Sequence, residues 1–263
     1  MHEFSFHRPG SVADAVALLK GSPHGKLLAG GQSYLPILKL GLASPTDLVS
    51  LRGMAELTGI RVDGGRLSVG AGETHSAVNA SAVVQQSIKA LSALAGGIGD
   101  AQVRNRGTIG GSLAHADPAA DYPAALLALD AVVHTDRRQI PADGFFTGLF
   151  SSALATDEVI TRVSFAIPTR AAYQKFPHPA SKYAIVGVFV AQHASGVRVG
   201  VTGAKTNAFR WTAAEQALAA RWAPDAVRGL AVSEADLNED PDFSAAYRAN
   251  LMAVLGGRAV AAT

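Results

Sequence analysis

Two short segments of this 263-residue chain carry paired glycines flanked by hydroxyl or amide side chains: Ala29-Gly-Gly-Gln-Ser33 and Thr108-Ile-Gly-Gly-Ser112. Glycine reaches positive φ and lets other groups approach the backbone, so successive N–H groups can line an anion-binding concavity. The hydroxyls of Ser33, Thr108 and Ser112 add donors. Two such loops can grip a diphosphate from opposite sides by hydrogen bonds alone. A pair of structural turns has the same composition, and the residue types leave both readings open. Downstream, His115, Asp117 and Asp121 offer an imidazole and two carboxylates, groups that can ligate a divalent ion. Their H-x-D-x-x-x-D spacing matches no closed metal set. Asp117-Pro118 also reads as a helix start, with aspartate capping and proline at the first helical position. Capping or polar ligand contacts therefore take precedence over a metal.

The common fingerprints of other chemistries are missing. No G-x-G-x-x-G opens a helix, no G-x-x-x-x-G-K-[ST] is present, and no G-x-S-x-G surrounds a serine. The chain has no cysteine, which excludes disulfides, a thiol nucleophile and an iron–sulfur cluster held by its own thiolates. Lys and Arg number 23 against 21 Asp and Glu, and the basic residues are scattered, so no footprint for nucleic acid appears. No apolar run approaches the roughly 18 residues that span a bilayer. The start MHEFSFHRPG carries an acid and lacks an apolar core, unlike a signal peptide. A cytoplasmic protein is the expectation.

The elements that must position these residues read as α+β. The pattern predicts a strand over Phe4–Phe6 and a helix from Ser11, where Ser11 and Asp14 form a capping box. It predicts a buried strand over Lys26–Ala29, a short helix over Leu35–Leu40, a strand over Asp47–Leu51, and a hairpin over Gly59–Gly70 turning at Asp63-Gly64-Gly65. Residues 74–95 have helical spacing, and Gly96–Arg106 reads as a loop. Leu126–Val133 and Glu158–Ile167 read as buried strands, with Pro168 ending the second. A boundary is expected near 168–175, where the two-proline stretch Lys175–Tyr183 begins a new unit. Beyond it come a hairpin, Ile185–Gln192 with Val197–Val201, and helices near 212–222 and 244–255. Lys175 and Tyr183 flank that junction and by type alone read as a solvated lysine and a half-buried tyrosine.

The segments LLAGGQSYLPILKL (27–40) and QVRNRGTIGGSLAHADPAAD (102–121), in this order, closely resemble the FAD-binding medium subunits of molybdenum hydroxylases, the carbon monoxide dehydrogenase and xanthine dehydrogenase-like family. VTGAKTNAFRWTAAEQAL (201–218) and YRANLMAVLGGRAV (247–260) resemble that family's carboxy-terminal domain. The resemblance implies a two-lobed FAD-binding domain of the PCMH or vanillyl-alcohol-oxidase type over 1–170, with lobes of about 1–55 and 56–170, and a small α+β domain over 171–263. It implies that Ala29, Gly30, Gly31, Gln32 and Ser33, with Thr108, Ile109, Gly110, Gly111 and Ser112, hold the FAD diphosphate. Lys26, Leu27 and Leu28 would run beside the cofactor. His115 and Asp121 would contact it within the second motif, and Ile160 would make an apolar contact. Lys175 would approach the flavin edge and tune the reduced flavin, while Tyr183 would cover the isoalloxazine.

Tyr34 departs from the family's usual leucine, and Gly41 from its frequent basic residue. The lack of cysteine disfavours the benzoyl-CoA-reducing branch, whose medium subunit carries an extra cluster. The implied role is electron transfer, from [2Fe–2S] clusters on a small partner subunit, themselves fed by a large molybdopterin-binding subunit, through FAD to an external acceptor. A dimer of heterotrimers is the implied assembly. No residue of this chain is implied as a catalytic acid, base or nucleophile, or as a metal ligand. A stand-alone flavoprotein oxidoreductase of the same fold and a flavin-free scaffold are the competing readings.

Overall fold

The computed structural model describes residues 2–263. The chain opens with β1 (Ser5–His7), α1 (Val12–Gly21), β2 (Lys26–Leu28), α2 (Tyr34–Lys39) and β3 (Asp47–Ser50). These strands form a parallel sheet in the order β1-β3-β2. Ser11 caps α1 by accepting from the Asp14 amide at 3.1 Å, as the capping box predicts. The strand predicted as buried over Lys26–Ala29 lies at the sheet edge, with Lys26 exposed and its leucines half-buried, because its open side faces a cleft.

A second lobe follows. Its strands are β4 (Ile60–Asp63) and β5 (Arg66–Gly70). After them come α3 (His75–Ala80), α4 (Ala82–Ser87), α5 (Lys89–Gly96), α6 (Ala101–Arg104), α7 (Ile109–His115) and α8 (Tyr122–Ala128). It closes with β6 (Val132–Thr135), β7 (Gln139–Pro141), the small hairpin β8 (Phe146–Gly148) with β9 (Ser151–Ser152), and β10 (Ile160–Ala166). The antiparallel sheet runs β4-β5-β10-β6-β7. Gly64 and Gly65 both take positive φ, 55° and 73°, as a two-residue hairpin turn requires.

The fold departs from the sequence expectations at several elements. The helical stretch 74–95 is three helices, broken where Ser81 and Ile88 leave helical φ/ψ. The expected loop Gly96–Arg106 contains α6, capped by Asp100. Leu126–Val133, read as one strand, is the end of α8 followed by β6. All seven residues of α8 are buried, so the segment shows no amphipathic period to separate it from a core strand. Its start is not Asp117-Pro118, which forms a turn closed by Ala120 N–H on the Asp117 carbonyl; Pro123 opens the helix instead.

The third sheet is β11 (Arg170–Pro177), β12 (Ala184–His193), β13 (Gly196–Thr202) and β14 (Phe209–Arg210), antiparallel in that order. α9 (Thr212–Ala220), α10 (Pro224–Arg228) and the long α11 (Ala245–Ala261) complete the chain. Strand residues alternate faces. Val186, Val188 and Val190 pack with Leu251, Met252 and Leu255 of α11, while Phe189 and Ala191 join the core of the second lobe. Gly200 permits this contact, since a Cβ there would stand 2.1 Å from the Ala124 carbonyl oxygen of α8. Arg198 crosses the same seam to Asp130, 2.6 Å, and Asp143, 2.5 Å.

Candidate functional site

A cleft of about 900 Å³ opens where the parallel lobe, the second lobe and the β11–β12 turn meet. That size sits near the top of the range for small-molecule and cofactor sites, roughly 300–1,000 Å³. Its first wall is the loop from β2 into α2. Gly31 takes φ +75°. Gly30 lies so close to the second lobe that a Cβ would stand 2.1 Å from the Arg106 carbonyl oxygen and 2.7 Å from Gly107 Cα. The N–H groups of Gly30, Gly31, Gln32 and Ser33 meet no acceptor among the described residues. Ser33 stands at the amino end of α2, yet its hydroxyl makes no capping bond, unlike Ser11, Thr74, Ser81 and Thr108. A run of backbone donors without a protein acceptor on a cleft wall is free to bond a ligand in place of water.

The second glycine pair is built differently from the first, which corrects the expected symmetry of two loops. Thr108 caps α7, its hydroxyl oxygen accepting from the Gly111 amide at 3.0 Å, so the glycines lie inside the first helical turn. Ile109 N–H donates to the Glu73 carbonyl, Gly110 N–H to Ala71, and Ser112 N–H to Thr108. Its amides are spent within the protein. Gly110 is required by packing, because a Cβ would stand 2.6 Å from that of Ala71. Gly111 brings α7 against the first loop, with a Cβ position 3.6 Å from that of Ala29. What this segment offers the cleft is the Thr108 and Ser112 side chains and the space its glycines leave.

Of the positions singled out from sequence, Lys26, Leu27, Leu28, Ala29–Ser33, Thr108, Gly110, Gly111, Ser112, His115, Asp121, Ile160 and Tyr183 line the cleft, as does Tyr34. Two do not. Ile109 is fully buried in the core of the second lobe. Lys175 is not the solvated lysine or free flavin donor expected. Its side chain is 10% exposed, and its ammonium donates to the carbonyls of Gly97 (3.0 Å) and Lys182 (3.1 Å) and pairs with Asp121 at 2.9 Å. Asp121 in turn accepts from the Tyr173 hydroxyl at 2.6 Å. Burial pushes the Asp121 carboxyl up, and the Lys175 ammonium and Tyr173 hydroxyl oppose that shift. Gly187 makes room for this network, since a Cβ there would stand 2.3 Å from the Tyr173 hydroxyl.

Tyr183 is 41% exposed beside this buried pair, its ring free to cover a ligand. Burial and the carboxylates of Asp117 and Asp121 raise its hydroxyl pKa, with Ser33 opposing. His115 packs on Phe150, ring centroids 5.3 Å apart. Asp117 accepts from the Ala119 amide at 2.8 Å, a turn-closing role. No cluster of three or more His, Cys, Asp or Glu side chains suited to a metal occurs among the described residues. Phe150 and Lys182, on the wall, and Ala116, beside it, are three of the four non-glycine residues with positive φ among the described residues, a concentration of backbone strain at one place.

Sequence reasoning missed His75, Arg52, Arg106 and Phe150, all on the wall. No site motif surrounds any of them in the sequence, and Thr74 before His75 marks only the start of α3.

A family described as the FAD binding domain in molybdopterin dehydrogenase matches residues 2–169. The chain belongs to this family. It is 35% identical to the carbon monoxide dehydrogenase medium chain of Hydrogenophaga pseudoflava, covering 95% of this chain and 94% of that one. It is also 35% identical to the nicotine 6-hydroxylase medium subunit of Paenarthrobacter nicotinovorans, over 96% and 94% of the two chains. The solved carbon monoxide dehydrogenase from Hydrogenophaga pseudoflava superposes with a TM-score of 0.88 at 34% identity, over 99% of this chain and 96% of that one. Quinoline 2-oxidoreductase from Pseudomonas putida 86 gives 0.89 at 27% identity, over 99% and 96%. A dinucleotide with a diphosphate suits the cleft of this FAD-binding family member: unpaired amides and hydroxyls at one end, an exposed aromatic ring at Tyr183.

Proposed function

We infer that this chain is the FAD-carrying, electron-transferring medium subunit of a molybdenum hydroxylase. Its partners are a large molybdopterin-binding subunit, where substrate is oxidised, and a small subunit carrying [2Fe–2S] clusters. The observation that carries the reading is the run of unpaired amides from Gly30 to Ser33 on a cofactor-sized cleft in a chain of this family. FAD supplies the redox chemistry when bound, passing electrons from the partner's clusters to an external acceptor. The chain's own residues bind and orient. The Gly30–Ser33 amides and the Ser33, Thr108 and Ser112 hydroxyls hold the diphosphate, Leu27, Leu28 and Ile160 give apolar contact, and Tyr183 covers the ring system. Asp121 and Lys175 lie beneath as a neutralised pair, so neither adds a net charge beside the redox group.

We place the assembly as a dimer of heterotrimers in the cytoplasm; no helix among the described residues is long and apolar enough to cross a membrane. The test is purification of the chain from its native cells. The expected result is a yellow complex with two further chains, stoichiometric flavin, iron and molybdenum, and reduction of the flavin by the complex's substrate. A lone flavoprotein that turns over an organic substrate, or a chain that takes up no flavin, would overturn the reading.

A further inference from the structure

We propose that His75 is a cofactor-binding residue that presents a neutral Nε2–H donor to the diphosphate side of the cleft, an inference that rests on the FAD reading above. His75 is the first residue of α3. It is fixed there by the Thr74 cap and by its own N–H, which donates to the Gly107 carbonyl at 3.0 Å. The residue is only 5% exposed, yet it forms part of the cleft wall. Its Nδ1 is sealed from solvent with no partner. Its Nε2 also bonds to no protein atom but is not sealed, so its open side is the cleft. That edge of the ring lies over Gly107, where a Cβ would stand 2.6 Å from Nε2. Gly107 is the residue that abuts Gly30, placing Nε2 where the two glycine segments touch.

The tautomer follows from this enclosure. A proton on Nδ1 would be a sealed donor with nothing to accept it. A proton on Nε2 leaves Nδ1 a bare acceptor, the less costly orphan, and directs the N–H to a ligand oxygen. Burial, reinforced by the Arg104 guanidinium, pushes the imidazole pKa down to about 4, so the ring is neutral at ordinary pH. The Tyr122 ring, 5.4 Å away and itself carrying a sealed, unpartnered hydroxyl, closes the back of the pocket. No protein group satisfies the open ring nitrogen, which is the condition for a ligand contact.

The test uses the full chain, labelled with ¹⁵N-histidine, in flavin-free form and titrated with FAD. The His75 ring, assigned by comparison with H75Q, is expected as the Nε2–H tautomer that does not titrate between pH 5 and pH 8, and FAD is expected to shift its Nε2. H75F is expected to lose about tenfold in FAD affinity, while H75Q, which keeps an amide N–H, stays within about threefold of wild type. The flavin-free H75F chain is expected to melt no lower than wild type, separating lost binding from lost fold. An Nδ1–H tautomer, a ring that titrates near neutrality, or H75F binding FAD as wild type does would overturn the assignment while the FAD reading stands. A wild-type chain that binds no FAD would instead sink the FAD reading, and this inference with it.

Discussion

Gly30 and Gly41 are both glycines of the amino-terminal lobe, but they are glycine for different reasons. A Cβ on Gly30 would meet the Arg106–Gly107 backbone, whereas Gly41 has open space and only needs its φ of +71°. Gly30→Ala is therefore expected to displace the loop that carries the unpaired amides and to weaken FAD binding more than tenfold. Gly41→Ala should cost about 1 kcal/mol of stability with FAD affinity unchanged; calorimetric titration and thermal melting of the pair check this. Two acid limbs of stability follow: His75 and His134 share the upper one, and Glu158 and Asp47 stand out in the lower. The His75 pKa is depressed from 6.5 to about 4, so the ring costs the fold nothing above pH 6.5, and stability falls as the unfolded chain takes up a proton between 6.5 and 4. Glu158, held by Arg138, is depressed from 4.5 to about 2, so its contribution is lost only between those values. H75F should make the upper limb of a stability-against-pH curve shallower, leaving the part due to His134, and leave the lower one in place. Neither assignment was legible in the sequence: a lone histidine after a capping threonine has no motif, and its meaning comes from Gly107 and Tyr122, distant in the chain.

At the scale of elements, Ala29–Ser33 and Thr108–Ser112 looked alike because both pair glycines with hydroxyls. Folding separates them, one as an open loop with unspent amides and the other as a capped helical turn whose glycines serve packing. Short-range signals were read well where local chemistry decides, as at the Ser11 cap and the Gly64-Gly65 turn. They failed at α8, where burial on every side erased the periodicity. Lys175 shows the same limit. Its ammonium ties the loop after α5, the end of the second motif, and the turn that presents Tyr183, all through tertiary contacts. Lys175→Met leaves the Asp121 carboxylate buried without its cation and is expected to cost about 3–5 kcal/mol. The double variant with Asp121→Asn should regain much of that in chemical denaturation. If the single variant were neutral, the buried pair would not hold this junction.

For the whole molecule, the family match ends at residue 169, but the core does not. Phe189 and Ala191 pack into the second lobe. Gly203 N–H donates to the Pro118 carbonyl, and the single Thr202 hydroxyl proton lies between the carbonyls of Pro118 and Ala120, 2.7 and 2.6 Å from the oxygen, so the end of β13 pins the end of the second motif. We expect a chain cut after residue 170 to lose cooperative unfolding and saturable FAD binding, although both glycine segments remain; circular dichroism melting with FAD titration checks it. On that outcome, the proposed division into an FAD-binding unit over 1–170 and a carboxy-terminal unit over 171–263 is one of sequence and sheet order, not of independent stability. On this reading the chain itself holds the flavin in the cleft beside Gly30. Equilibrium titration of the flavin-free full chain with FAD, followed by flavin fluorescence, tests it most directly. The result expected is saturation at one FAD per chain, with binding lost in Gly30→Ala. Absence of saturable binding, or undiminished binding by a folded Gly30→Ala chain, would contradict it.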